Sequence, residues 1–273
     1  PLAILNIDSA GQRVVQSRVV IELAANAHME LIECALSSGS GTRFTNSVVD
    51  VELEDGACLA HARVQDRHLD HAGVYRLQVS LARDASIRHS SFDFGGALSR
   101  NDVVTNIKGT GAAVGLNGLY LAGGEQHIDN HTSIIHGVGH ATSDEEYRGI
   151  LTGRARCVFN GKVIVAEGAD GTDSRQSNHN LLLSDRAEID TKPELEIYAD
   201  DVKCAHGATV GQLDRAALFY LQSRGLDRDQ ARQVLTRAFA AGMLSSLSVP
   251  ACQDFVGTRL DRRLAEIVDD VDD

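Results

Sequence analysis

A recurrence is the feature that most constrains this chain. Over its first two thirds, short runs of alternating apolar and polar residues are broken repeatedly by small turn residues. Examples are "VVIELAANAHMELIEC", "VVDVELEDGACLAHARV", "YRLQVSLARDASIRHSSF", "TNIKGTGAAVGLNGLYL", "ARCVFNGKVIVAEG" and "NLLLSDRAEIDT". Each reads as strand, tight turn, strand, because strand side chains alternate faces while Gly, Asn and Asp supply the turn. With Asn26, Gly56, Asp84, Gly111, Asn160 and Asp185 as turn markers, the step is about 25–30 residues, the interval from Gly111 to Asn160 counting as two. A period of that size predicts stacked coils, each burying its apolar face only against its neighbours.

Hardly any segment before residue 208 has room for a crossover helix, which disfavours a doubly wound sheet. Three prolines and 4% aromatics beside 25 glycines do not suit an aromatic-rich sandwich. The expected fold is therefore mainly β: a right-handed parallel β-helix, or β-solenoid, over residues 1–210. An irregular antiparallel sandwich is the second choice.

Near residue 210 the apolar period changes from two to helical. "LDRAALFYLQSRG" offers Asp214 as N-cap and Gly225 as stop. In the next run Asp227 and Gln230 have capping-box spacing, with Ala231, Val234, Leu235, Ala238 and Phe239 on one stripe. A third helix is expected after Pro250. Residues 211–273 thus read as a small α-helical subdomain, covering the last coil or docking another protein.

Lys and Arg number 26 against 38 Asp and Glu, a net charge of −12, and the chain closes on an acidic run. That balance argues against nucleic acid and anionic membranes as partners. No stretch approaches the ~20 apolar residues of a membrane span and no signal peptide is evident, so a cytoplasmic protein is expected. The start at Pro1 reads as the core of a longer polypeptide. The cysteines Cys34, Cys58, Cys157, Cys204 and Cys252 are scattered and form no CxxC pair, which predicts reduced thiols.

Histidines crowd "EQHIDNHTSIIHGVGHATSDEE", where His127, Asp129 and His131 share one strand face and His136 the other. With His140 they match no zinc spacing, and interior polar residues satisfied by neighbouring coils are the simpler reading. Cys58 and His61 fall on opposite faces, and Cys34, Cys157 and Cys252 read as small core fillers. "EGADGTDSRQSNHN" gathers Asp170, Asp173, Arg175 and His179. Paired carboxylates there, with His206, would suit a carbohydrate-cleaving β-helix enzyme, a hydrolase or lyase. The same Gly and Asp residues also suit any turn. The glycines of "KGTGAAVGLNG" and "HGVGHATS" lack the lysine-serine ending of a phosphate loop.

In "VKCAHG", Cys204 and His206 lie two residues apart and so share a strand face, which is expected to point into the coil. Spacing alone favours a buried thiol and a satisfied imidazole. As metal ligands they would be two of the four that a tetrahedral thiolate site takes, so any metal or cluster would be shared with a second subunit.

Residues 190–225, "DTKPELEIYADDVKCAHGATVGQLDRAALFYLQSRG", resemble the carboxy-terminal signature of the SufB/SufD family of Suf iron–sulfur cluster assembly scaffolds. "GALSRNDV" (96–103), "HIDNHTSIIHGVGHATSDEEYRGILTG" (127–153) and "DSRQSNHNLLLSDRAEI" (173–189) resemble it too, so the likeness covers most of residues 80–245. "HGATVG" in place of the "HEATVS" pattern tilts it towards the SufD branch. The resemblance implies a β-helix core with C-terminal helices, and a non-catalytic scaffold that pairs with SufB through the end of the β-helix, or with itself when SufB is absent. It further implies docking of the SufC ATPase on those helices, for which Phe219, Tyr220, Leu221 and Arg224 are the candidates. Cys204 and His206 become half of a site where a nascent iron–sulfur cluster, or iron, is held transiently at the interface. The helical N-terminal region usual in the family is not in this sequence. Reduced flavin has been linked to Suf complexes, and no flavin motif is evident here.

Overall fold

The computed structural model describes all residues except 10, 40, 248, 249 and 270–273, so most of the closing acidic run lies outside the described residues. Among the described residues fifteen strands come first. They are β1 (Leu2–Asp8), β2 (Arg13–Leu23), β3 (His28–Ser37), β4 (Arg43–Leu53), β5 (Cys58–Asp66), β6 (His71–Leu81), β7 (Ser86–Asp93) and β8 (Leu98–Ile107), then β9 (Ala113–Ala122), β10 (His127–His136), β11 (Thr142–Leu151), β12 (Arg156–Val165), β13 (Thr172–Leu182), β14 (Glu188–Ile197) and β15 (Val202–Gly211). Helices α1 (Arg215–Ser223), α2 (Arg228–Leu244) and α3 (Pro250–Asp269) follow.

Odd-numbered strands form an eight-stranded sheet and even-numbered ones a seven-stranded sheet, each strand pairing in parallel with the strand two further on. One register line runs from Ala113 to Thr142, Asp173 and Lys203, one residue per coil. This is a parallel β-solenoid of about seven coils, and the antiparallel sandwich is excluded. Between the sheets Leu59, Leu77, Val79, Leu116, Ile128, Phe159 and Val163 are fully buried. Their burial is the main drive to stack, at about 25 cal/mol per Å² of apolar surface removed from water.

One corner of the solenoid is a ladder of left-handed residues. Asn26, Gly56, Asp84, Gly111, His140 and Gly171 all have φ between +55° and +76°. The backbone N–H of Asn26 donates to the carbonyl of Asp55, and that of Gly56 to Arg83 in the next coil. Side chain and glycine alternate for a steric reason. A Cβ on Gly56 would lie 2.5 Å from Asn26 Oδ1, and one on Gly111 would collide with Asp84 Oδ1. Four of the expected turn markers, Asn26, Gly56, Asp84 and Gly111, belong to this ladder.

Asn160 does not: it lies within β12, a continuous strand. The Asn-Gly pair that suggests a hairpin has another origin, since a Cβ on Gly161 would strike the Gln176 amide and the Phe159 ring. The glycine is there for close approach across the interior.

The helices depart from expectation in their seat. Met243, Leu247, Cys252, Val256, Leu260 and Leu264 pack on Val64, Phe92, Phe94, Leu119, Leu121 and Ile150, on the outer face of the eight-stranded sheet. Helices α2 and α3 lie along the side of the solenoid, because that face carries its own apolar stripe, and α1 packs on α2 with no buried residue of its own. The buried line of α2 is Ala231, Thr236, Ala240 and Met243. Val234 and Ala238 of the expected stripe face solvent. The caps form as read: Asp214 accepts from the backbone N–H of Ala216, and Asp227 with Gln230 closes a capping box.

Candidate functional site

Cys204 and His206 lie on β15, whose one partner strand is β13. Parallel strands keep residues in register, so Cys204 stands beside Ser174 and His206 beside Gln176. Ser174 and Gln176 point into the solenoid and are buried, and alternation puts Cys204 and His206 on that same inner face. Among the described residues no further coil covers β15. Cys204 is therefore half-buried against the core while His206 is exposed. Burial pushes the Cys204 thiol above its ordinary range, partly offset by the backbone of Ser174, so a metal must displace its proton to bind.

A polar column lies beneath each of the two. Under Cys204, the Ser143 hydroxyl donates to Ser174 Oγ at 2.8 Å, and the Ser143 oxygen is 2.9 Å from His136 Nε2. Burial holds His136 down to about 4, a neutral ring. Under His206, Gln176 Nε2 donates to Glu145 Oε2 at 2.6 Å. Glu145 is 0% exposed, and burial pushes its carboxyl up to about 7, with hydrogen bonding from Thr132 and then Gln176 pulling it back. Neither Glu145 nor Gln176 stands out in the sequence. The legible signal is the run Ser174, Gln176, Asn178 and Asn180, which puts polar residues at every second, inward position of a strand where apolar ones are usual.

The other candidates separate. Asp170 sits at a corner, where its Oδ1 accepts the backbone N–H groups of Asp200 and Asp201 at 3.1 Å each. Asp173 lies on the outer face of β13, 3.9 Å from Arg175, while His206 faces inward on β15. His179 bonds Thr209 on the outer face at 2.9 Å. The three groups of the carbohydrate-enzyme reading line no common groove. In the histidine run, His131 pairs with Asp129 at 2.8 Å outside, His136 is inside, and His140 belongs to the corner ladder. Among the described residues no group of three or more His, Cys, Asp or Glu is arranged to hold a metal ion. Cys34, Cys157 and Cys252 are buried among apolar neighbours, as expected of fillers, and Cys58 and His61 are split across faces. On α1, Phe219 and Tyr220 are 73% and 60% exposed, and Arg224 is the C-cap.

The fold and site define a class: a parallel β-solenoid whose thiol and imidazole stand on an open edge strand. Residues 5–239 match the family described as SUF system FeS cluster assembly, SufBD core domain, and the chain belongs to that family. It is 35% identical to the iron–sulfur cluster assembly protein SufD of Escherichia coli over 97% of its length, covering 63% of that protein. A SufBD family protein of Synechocystis is 32% identical over 88% of the chain and 55% of its own length. SufD of Bacillus subtilis is 30% identical over 70% and 44%. The chain thus spans less than two thirds of these relatives, and the SufD resemblance of its motifs is borne out. Among the described residues no helix is long and apolar enough to cross a membrane.

Proposed function

We propose that this chain is the core of a non-catalytic scaffold subunit in Suf iron–sulfur cluster assembly, working in the cytoplasm and holding half of an assembly site. The observation that carries the reading is the placement of Cys204 and His206 on the uncovered edge strand of the last coil. An edge strand offers unpaired backbone groups to another chain, and two ligands offer an incomplete site for it to complete. SufB is the partner proposed for that edge, with a second copy of this chain taking its place when SufB is absent. Iron and sulfide are the cargo. The Cys204 thiolate is the sulfur-compatible ligand, and the His206 imidazole binds iron or accepts a proton.

The exposed Phe219 and Tyr220, with Leu221 and the C-cap Arg224, form the proposed dock for the SufC ATPase. Helices α2 and α3 are already engaged with the solenoid flank, so motion imposed on α1 would be passed to the sheet that ends in β15. The test is cluster yield in the reconstituted complex carrying Cys204→Ala or His206→Ala in the full-length protein. Loss of yield with the complex intact is expected. Wild-type yield from both variants would remove the site.

A further inference from the structure

The column beneath His206 has the parts of an orienting device. Glu145 is fully buried, and above about pH 7 its carboxylate is ionised and only accepts hydrogen bonds, so there it dictates which end of the Gln176 amide faces it. Nε2 turns towards Glu145. Oε1 is thereby turned off that rung, and among the described residues this buried oxygen has no hydrogen-bond partner, in a residue 3% exposed. Buried amide oxygens are rarely left so. The next rung of the ladder is His206. Neighbouring strands lie about 4.8 Å apart, which brings an imidazole N–H within reach of an amide oxygen on the adjacent rung.

The strand opposite is adapted to the same amide. Gly161 of β12 has no Cβ where one would strike Gln176 Nε2. A glycine inside a strand forfeits packing and backbone entropy, and here the amide occupies the room that it leaves.

We propose that Glu145 and Gln176 are positioning residues that fix the tautomer and ring orientation of His206. Glu145 orients the amide, Gln176 Oε1 accepts the proton of one ring nitrogen, and the other nitrogen is left unprotonated and aimed at the partner side of the coil end. This is the role that second partners of metal-binding histidines play elsewhere: they hold the ring so that one nitrogen is free to ligate. The inference rests on reading His206 as half of the assembly site, and it adds two residues that themselves touch no cargo.

The test is the pair of ring nitrogen-15 signals of His206 in the full-length protein without iron or partner, at pH 8, assigned by their absence in His206→Gln. A single tautomer keeps the two signals far apart. Gln176→Met, which conserves volume and removes the acceptor, should draw them towards a common averaged position. Glu145→Gln should do so part-way, because a glutamine both donates and accepts and no longer dictates the amide's orientation. Unchanged separation in either variant that keeps the wild-type amide spectrum would overturn the proposal. Cluster yield is read separately. If His206→Ala assembles clusters normally, the half-site reading falls while the tautomer result stands or falls alone.

Discussion

Arg148 reaches from the solenoid to the helices. Its Nη1 donates to the backbone carbonyl of Phe239 at 2.6 Å, and its guanidinium lies 5.5 Å from the centre of that residue's ring. Glu146 braces it, accepting from Nε at 2.8 Å, and a Cβ on Gly242 would come within 3.0 Å of Nη1. A strand residue thus fixes where α2 lies on the sheet.

Arg148→Ala should accordingly cost about 1–2 kcal/mol, the scale of a charge-assisted hydrogen bond discounted for partial exposure. Chemical denaturation checks the magnitude. Hydrogen exchange checks the location: the amides of α2 should lose protection before those of the strands.

The corner ladder predicts a coupled pair. Gly111→Ala places a Cβ against Asp84 Oδ1 in a backbone conformation that suits glycine, and a loss on the order of 1–3 kcal/mol is expected. Asp84→Gly removes the colliding carboxylate and tolerates its own positive φ. The double variant should therefore lose less than the sum of the two single ones, which a double-mutant cycle measures.

Stability should respond to pH through the buried column. The folded-state value of Glu145, about 7, lies above its unfolded one, so between about pH 4.5 and 7 the folded state binds the extra proton and the contribution of Glu145 to stability falls as pH rises. Glu145→Gln should thus gain on the wild type progressively across that window. His136 is the opposite case, with a folded-state value of about 4 against an ordinary 6.5. There the unfolded state binds the extra proton, so the contribution of His136 is lost as pH drops from about 6.5 to 4 and opposes that of Glu145 where the two windows overlap. Relative to the wild type, His136→Gln should gain up to ~1.4 kcal/mol per pH unit as pH falls through that window, read from urea midpoints at each pH.

Phe219→Ser with Tyr220→Ser should leave the melting temperature within a few degrees, because neither side chain packs in the core. The same pair should weaken capture of SufC at least tenfold in a pull-down or by calorimetry, in keeping with exposed aromatics acting as interface anchors. Unaltered SufC binding would place the dock elsewhere.

How much of this was legible follows from which interactions are local. The period of the turns, the alternation within strands, and the caps at Asp214 and Asp227 are properties of short segments, so they predict a stacked coil and three helices. Asn160 misled because its signal is local too: Asn-Gly is a turn pair unless something across the interior needs the missing Cβ, and that something is Gln176, far off in sequence. The seat of the helices was hidden in the same way. An amphipathic helix announces that it will bury a face, and only the sheet's outer stripe of Val64, Phe92, Leu119 and Ile150 says where.

Sequence by itself determined that the chain coils, where most of the coils turn, and that Cys204 and His206 share a face, since these depend on residue spacing. Only the tertiary structure decided that this face meets solvent at an uncovered strand, and that Gln176 and Glu145 stand one and two rungs beneath His206. Rungs are set by the stacking of whole coils. Residues about thirty positions apart become neighbours through backbone hydrogen bonds that no local pattern records.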